Sequence, residues 1–248
     1  HDKALGTAFD YLEYLGTSDM TPEELKSEFY RLACTFYVSP GNERTYVVLS
    51  GLNENMPAAV QLFEKLLADA QVNKEAYTNM TSDILKARSD AKLNQGQNFS
   101  RLMSFAMYGP KSPATNLLTE AELTNMNPQE LVDRIHNQNS YKHRILYYGP
   151  SSSKDLLATI NQYHQVPAAL KDIPAGNEYS YLETPVTKVL VAPYDAKQIY
   201  MAQISNLDKK YDPAIEPIRA LYDEYFGGGM NSIVFQEMRE TCGLAYSA

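Results

Sequence analysis

Between Thr21 and Leu52 the hydrophobic period changes, and that change constrains the fold more than any other feature of the chain. "TPEELKSEFYRLA" places its apolar residues at helical spacing. It announces its own start, with Thr21 as N-cap, Pro22 in the first turn and Glu24 three residues after the cap to complete a capping box. "CTFYVSP" and "RTYVVLSGL" follow at once, rich in aromatic and β-branched residues and joined by "PGNE", which reads as a pair of strands. A hairpin-like strand pair among helices argues for an α+β fold over a purely parallel sheet.

The rest of the chain extends this mixture. "DKALGTAFDYLEYLGT" is apolar at helical spacing and is expected to stop at Gly16. "MPAAVQLFEKLLADA" sets Val60, Phe63, Leu67 and Ala70 along one helical face, and "KEAYTNMTSDILKARSD" continues as a second helix. After the loop "MYGPKSPATN" come "LTEAELTNM" and "NPQELVDRIHNQ", the latter with Asn127, Pro128 and Glu130 spaced like Thr21, Pro22 and Glu24. "HRILYYGP" reads as a strand and "SSSKDLLATINQYH" as a helix. The stretch 166–185 holds Pro167, Pro174 and Pro185 without periodicity and reads as a linker between a first domain, 1–165, and a second, 186–248. Beyond it "VTKVLVAPY", "KQIYMAQISN" and "GLAYSA" read as strands, and "EPIRALYDEYFGG" and "MNSIVFQEMRE" as helices.

Composition mainly excludes. A net charge of -8 with no basic cluster argues against a nucleic-acid or anionic-membrane partner, and no apolar run approaches the roughly 20 residues of a membrane helix. Cys34 and Cys242 are too few for a disulfide framework. Neither H-x-x-E-H nor its reverse occurs, and His1, His136, His143 and His164 never stand at the i, i+4 spacing that presents two ligands on one helix face. The pairs Glu23/Glu24 and Glu120/Glu122 fall in helix first turns, where the macrodipole accounts for acidic residues. Gly227, Gly228 and Gly229 lack the spacing and lysine of a phosphate loop and follow a helix, so a tight reversal needing positive φ is expected; an anion or nucleotide cradle is the rival reading.

"FGGGMNSIVFQEMRETCGLAYSA" resembles the signature of the second domain in each half of the pitrilysin, insulin-degrading enzyme and mitochondrial processing peptidase family, the inverzincin metallopeptidases. The upstream run from "ALGTAFDYLEYLGT" through "LLADA", and then "YGPKSPATNLLTEAELTNMNPQELVDRI" and "ILYYGP", resembles that family's first domain. The resemblance implies two related α/β domains with mixed, largely antiparallel sheets flanked by helices, both incomplete in this chain. With "LGT" as anchor, the family's two zinc histidines fall on Thr7 and Tyr11, its catalytic glutamate on Asp10, and its later zinc-ligand glutamate on about Asp83. Thr and Tyr are poor zinc ligands beside imidazole, so this half is expected to bind no metal and to hold no catalytic residue.

The resemblance also implies a role. In two-half members the half without the zinc motif closes over the catalytic half and supplies an Arg and a Tyr seven residues apart to the substrate; Arg239 and Tyr246 stand at that spacing. The implied partners are a peptide substrate and a zinc-bearing H-x-x-E-H half, on the same polypeptide or a partner chain. The implied compartment is the periplasm or cytoplasm of a bacterium. The alternative is an inactive scaffold or assembly subunit of the same family.

Overall fold

The computed structural model describes residues 2–41, 44–206 and 211–244. Helix α1 (Ala4–Leu12) buries Ala4, Ala8, Phe9, Tyr11 and Leu12, the recurrent face that a 3.6-residue period presents to a core. It ends at Leu12 and not, as the sequence suggests, at Gly16. Gly16 serves the loop instead: a Cβ there would lie 2.3 Å from the Met20 carbonyl oxygen, and the Gly16 carbonyl accepts a 2.9 Å bond from the Gln71 N–H. The close approach of two backbones is what requires the glycine.

Helix α2 (Pro22–Arg31) starts as its sequence dictates: the Thr21 hydroxyl accepts from the Glu24 N–H while the Glu24 carboxylate accepts from the Thr21 N–H. Strands β1 (Cys34–Pro40) and β2 (Thr45–Gly51) form an antiparallel pair in the register Phe36↔Leu49 and Val38↔Val47. Phe36, Val38 and Leu49 turn toward the core, whereas Tyr37 and Tyr46 are exposed, the one-sided burial of an antiparallel ladder. The Phe36 ring joins three elements, with centroids 5.1 Å from Phe29 on α2 and 5.0 Å from Phe63 on α3 (Met56–Asp69). Each such buried side chain is worth about 1.5–3 kcal/mol of transfer free energy.

Helix α4 (Lys74–Ala91) is capped by Asn73, and α5 (Gln95–Tyr108) by Asn94. The sequence reading has no helix over 95–108; its apolar residues are half-buried at best, so the periodic signal is faint. Helix α6 (Glu120–Asn125) opens with a Thr119–Glu122 capping box, which places the Glu120/Glu122 pair in a first turn as expected. Helix α7 (Gln129–His136) follows, with the Asn127 side chain accepting from the Gln129 N–H at 3.1 Å, and packs Leu131, Val132 and Ile135 into the core beside α1. Helix α8 (Ser153–Tyr163) packs on α3.

All the buried apolar side chains among the described residues lie between Ala4 and Ile135. The segments "HRILYYGP", "VTKVLVAPY" and "KQIYMAQISN", expected as strands, have no ladder partner among the described residues; only an isolated bridge, Tyr141↔Lys171, stands near the first. Their apolar residues are correspondingly open, Leu146 at 83% and Ile199 at 87% exposure. β-propensity fits a residue to a pleated surface but does not supply the partner strand. The fold is α+β, helix-rich with a small antiparallel sheet, and the broader mixed sheets expected from the sequence are absent from the described residues.

By internal contacts the chain divides into two units, one from His1–Leu182 and Lys188–Ile204, the other from Glu183–Thr187 and Ser205–Ala248. In the second unit Thr184 is tied to Asn206 by two backbone-directed bonds of 2.8 Å. It carries α9 (Glu216–Phe226), the glycine turn and a π-helix, Phe235–Thr241. No helix among the described residues is long and apolar enough to cross a membrane.

Candidate functional site

The first unit contains a cavity of about 470 Å³ walled by α1, the hairpin end, α4, α5 and the loop at Asn116–Leu117. Thr7 and Asp10 line it from α1, because both project from the helix face opposite the core residues Ala4, Ala8 and Leu12. Ile84, Arg88 and Ala91 line it from α4, and Arg101 from α5. The Arg88 guanidinium donates to the Leu118 carbonyl at 2.7 Å, pinning the loop that closes one side.

The other two motif positions are not brought to this cavity. Tyr11 is fully buried; its hydroxyl donates to the Asn73 carbonyl at 2.6 Å and accepts from the Asn73 N–H at 2.9 Å, and its ring meets Tyr77 edge-on at 5.6 Å. It is a core residue that staples α1 to the α3–α4 loop. Asp83 lies on α4 with its side chain exposed and outside the cavity lining. Thr7, Asp10, Tyr11 and Asp83 therefore do not converge, and one hydroxyl of the set is already consumed, so the donors present do not fit zinc. Among the described residues no cluster of three or more His, Cys, Asp or Glu is placed to hold a metal.

Of the charged residues lining the cavity, Asp2 and Lys3 are held in ion pairs. Asp10 stands at its solvent edge, where partial burial and then the Glu13 carboxylate raise its carboxyl above the ordinary value. Asp2 accepts from the Arg134 guanidinium at 2.7 Å. Glu122 bonds the Lys3 ammonium and the Thr119 backbone and hydroxyl, which together lower its carboxyl to about 2. Buried Tyr11 has its phenol raised above the usual 10, chiefly by desolvation.

In the second unit, Ser232 is buried and its hydroxyl accepts from the Phe235 N–H, opening the final helix. That helix widens into π geometry, with the Cys242 N–H reaching back five residues to Glu237. Arg239 lies on it; its guanidinium sits 4.7 Å over the Phe235 ring and 3.4 Å from the Glu240 carboxylate. Tyr246 lies outside the described residues. The glycines lie in the turn between helices, but Gly227 has φ -138°, and the positive-φ glycines among the described residues are Gly109 and Gly243, so the expected positive φ is not found there. What the turn needs is space: a Cβ on Gly228 would lie 2.7 Å from the Glu224 Cα. The Glu224 carboxylate beside this turn also opposes an anion there.

The histidines pair differently from any helical spacing. His136 Nε2 meets the Ala70 carbonyl at 3.1 Å, while His143 and His164, 21 residues apart, meet through their Nε2 atoms. No sequence period connects the latter two; His164 closes α8, His143 lies in the extended segment before that helix, and tertiary packing brings them together.

No family model matches the chain. A curated relative, an uncharacterized zinc protease of Rickettsia felis, is 20% identical over 260 aligned positions, which cover 99% of this chain and 59% of that protein. The chain thus spans less than two thirds of its relative's length. Among solved structures, the inactive domain of an M16 peptidase from Pseudomonas fluorescens superposes with TM-score 0.61 at 15% identity, covering 99% of this chain and 60% of that one. The periplasmic protease PqqL of Escherichia coli gives TM-score 0.56 at 14% identity, over 72% of this chain and 20% of its own. At these identities the structural likeness is one of fold.

Proposed function

We propose that this chain, which resembles the pitrilysin-like M16 metallopeptidases in sequence and shares the fold of their domains, is the non-catalytic half of such a zinc protease. The observation that carries the reading is the fate of the motif helix. α1 and its cavity wall are kept, yet the positions matching the family's zinc donors hold Thr7 and Tyr11, and the Tyr11 hydroxyl is spent on the Asn73 backbone. A helix that has turned a ligand position into a core staple serves architecture and not metal chemistry.

In this reading hydrolysis belongs to an H-x-x-E-H half, elsewhere on the polypeptide or on a partner chain, where zinc polarises the scissile carbonyl and its water. This chain encloses the substrate chamber. Arg239 and Tyr246 supply fixed donors to peptide carbonyls or to the oxyanion that develops on them. The π-helix under Arg239 supports the assignment, since that rare geometry is frequent at functional sites. The division into a first domain, 1–165, and a second from 186 belongs to the same proposal.

The test is kinetic, on the full-length protein with its H-x-x-E-H half. Arg239→Ala and Tyr246→Phe are each expected to lower kcat/KM for peptide cleavage by about 10–100-fold, a loss of roughly 1.4–2.7 kcal/mol in transition-state stabilisation. Unchanged peptide turnover in both variants overturns the substrate role and leaves the scaffold reading in its place.

A further inference from the structure

His143, His164 and Glu64 form a linear chain of contacts in the first unit that the reading above leaves unused. The Glu64 carboxylate on α3 lies 2.7 Å from His164 Nδ1, His164 Nε2 lies 2.8 Å from His143 Nε2, and His143 Nδ1 lies 2.6 Å from the Tyr141 carbonyl oxygen. Asn139 donates to the other Glu64 carboxylate oxygen at 2.8 Å, fixing its orientation. The rings are nearly perpendicular, at 86°, with centroids 4.9 Å apart.

Hydrogen-bond accounting dictates the tautomers. A carbonyl oxygen only accepts, so His143 carries its proton on Nδ1; a carboxylate accepts likewise, so His164 carries its proton on Nδ1. With both rings neutral the two Nε2 lone pairs face each other across 2.8 Å, and they repel unless an electrophile, a proton or a metal ion, stands between them.

We propose that the electrophile is a divalent transition-metal ion of the zinc, copper or nickel class, ligated by Nε2 of His143 and Nε2 of His164 and completed by water. The arrangement on the far side of each ring is that of a metal site: ligating imidazoles hand their second N–H to a carboxylate or a backbone carbonyl, which fixes the tautomer and raises basicity. Here Glu64 and the Tyr141 carbonyl fill those two places. Imidazole pairs select this class over magnesium or calcium, which prefer oxygen. The two nitrogens meet nearly head-on in this structure; metal–nitrogen bonds of about 2.05 Å meeting near the tetrahedral angle separate them by about 3.3 Å, so on loading the pair opens by roughly 0.5 Å and the rings swing until their lone pairs converge on the ion. His143 is exposed and can make that movement, and its open side admits the water ligands.

The experiment is a calorimetric titration of the metal-stripped chain with Zn²⁺ at pH 8, with Cu²⁺ electron paramagnetic resonance as a count of ligating nitrogens. Expected are a single equivalent of bound ion and hyperfine structure from two imidazole nitrogens. His143→Ala and His164→Ala should each abolish binding, and Glu64→Gln should weaken it about 10–100-fold. His136→Ala, whose ring meets the Ala70 carbonyl, should change nothing. Because His143 is exposed, His143→Ala leaves folding intact, which circular dichroism checks. The proposal falls if His143→Ala binds like the parent chain, or if no zinc is taken up while nuclear magnetic resonance finds a proton held between the rings at pH 8. Zinc uptake that survives loss of both histidines but disappears in Asp10→Asn overturns it too, and would count separately against the lost-motif reading of α1.

Discussion

Removing one oxygen from the core tests the claim that Tyr11 is a structural staple. In Tyr11→Phe the ring stays against Tyr77, so apolar packing is conserved and the change isolates two hydrogen bonds, of 2.6 and 2.9 Å, to a single backbone residue. Each bond contributes about 1 kcal/mol net, and an unpaired buried amide group costs about 1–3 kcal/mol; Asn73 is half-buried, so water recovers part of this, and the expected loss is about 2–4 kcal/mol. Urea unfolding followed by circular dichroism should show the midpoint falling with the slope unchanged. The Tyr11 phenol is raised in the folded state, so its contribution is fully present below about pH 10 and is lost as pH climbs through the folded value; Tyr11→Phe should flatten this alkaline decline. Tyr11→His, which installs the residue type that the proposed alignment with the family puts there, should cost at least as much and bring no zinc binding through Thr7, Asp10 or Asp83. A loss below about 0.5 kcal/mol in Tyr11→Phe would refute the staple, because a hydroxyl making two native bonds cannot be removed that cheaply.

Three further outcomes follow from the geometry. Glu122 is lowered from about 4.5 to about 2, so its contribution is present above pH 4.5 and is lost as pH falls toward 2; Glu122→Gln should remove that acid transition, read from the stability profile or the carboxyl carbon shift. Gly16→Ala forces a Cβ against the Met20 carbonyl and should cost about 1–3 kcal/mol, lowering Tm by roughly 2–4 °C per kcal/mol at this chain length. Gly227→Ala, with nothing within 4 Å of the added methyl and a negative φ, should be nearly neutral in the same melt, which separates the crowded glycine from the open one.

The elements read best from the sequence are those whose signals are local. The capping box at Thr21 and the Phe36–Leu49 hairpin face appear where short-range chemistry places them, whereas at Asn127 the side chain accepts from the Gln129 N–H and Pro128 stands as the N-cap, so the box expected with Glu130 does not close. Gly16 misled, because a glycine that ends a helix and a glycine that admits a neighbouring backbone look identical in one dimension. Helix α5 was invisible for the converse reason: its apolar residues are at best half-buried, and its contacts are distant in sequence, Phe99 meeting the Tyr200 ring and the Gln95 side chain donating to the Gln198 carbonyl, each about a hundred residues away. The strand signals at 144–149, 186–194 and 197–204 were read correctly as β-branched and aromatic, yet a strand exists only once a neighbour completes its hydrogen bonds.

For the candidate site the division is similar. The sequence by itself supplies Thr, Asp, Tyr and Asp at positions 7, 10, 11 and 83, onto which the resemblance maps the family's zinc set, and the expectation that they hold no zinc rests on residue type alone. Only the tertiary structure decided what those residues do instead: Thr7 and Asp10 wall a cavity, while Tyr11 reaches 62 residues along the chain to close the Asn73 backbone. It alone brought His164 to both His143 and Glu64, because contacts between residues 21 and 100 positions apart are made by tertiary packing, and no local periodicity records them.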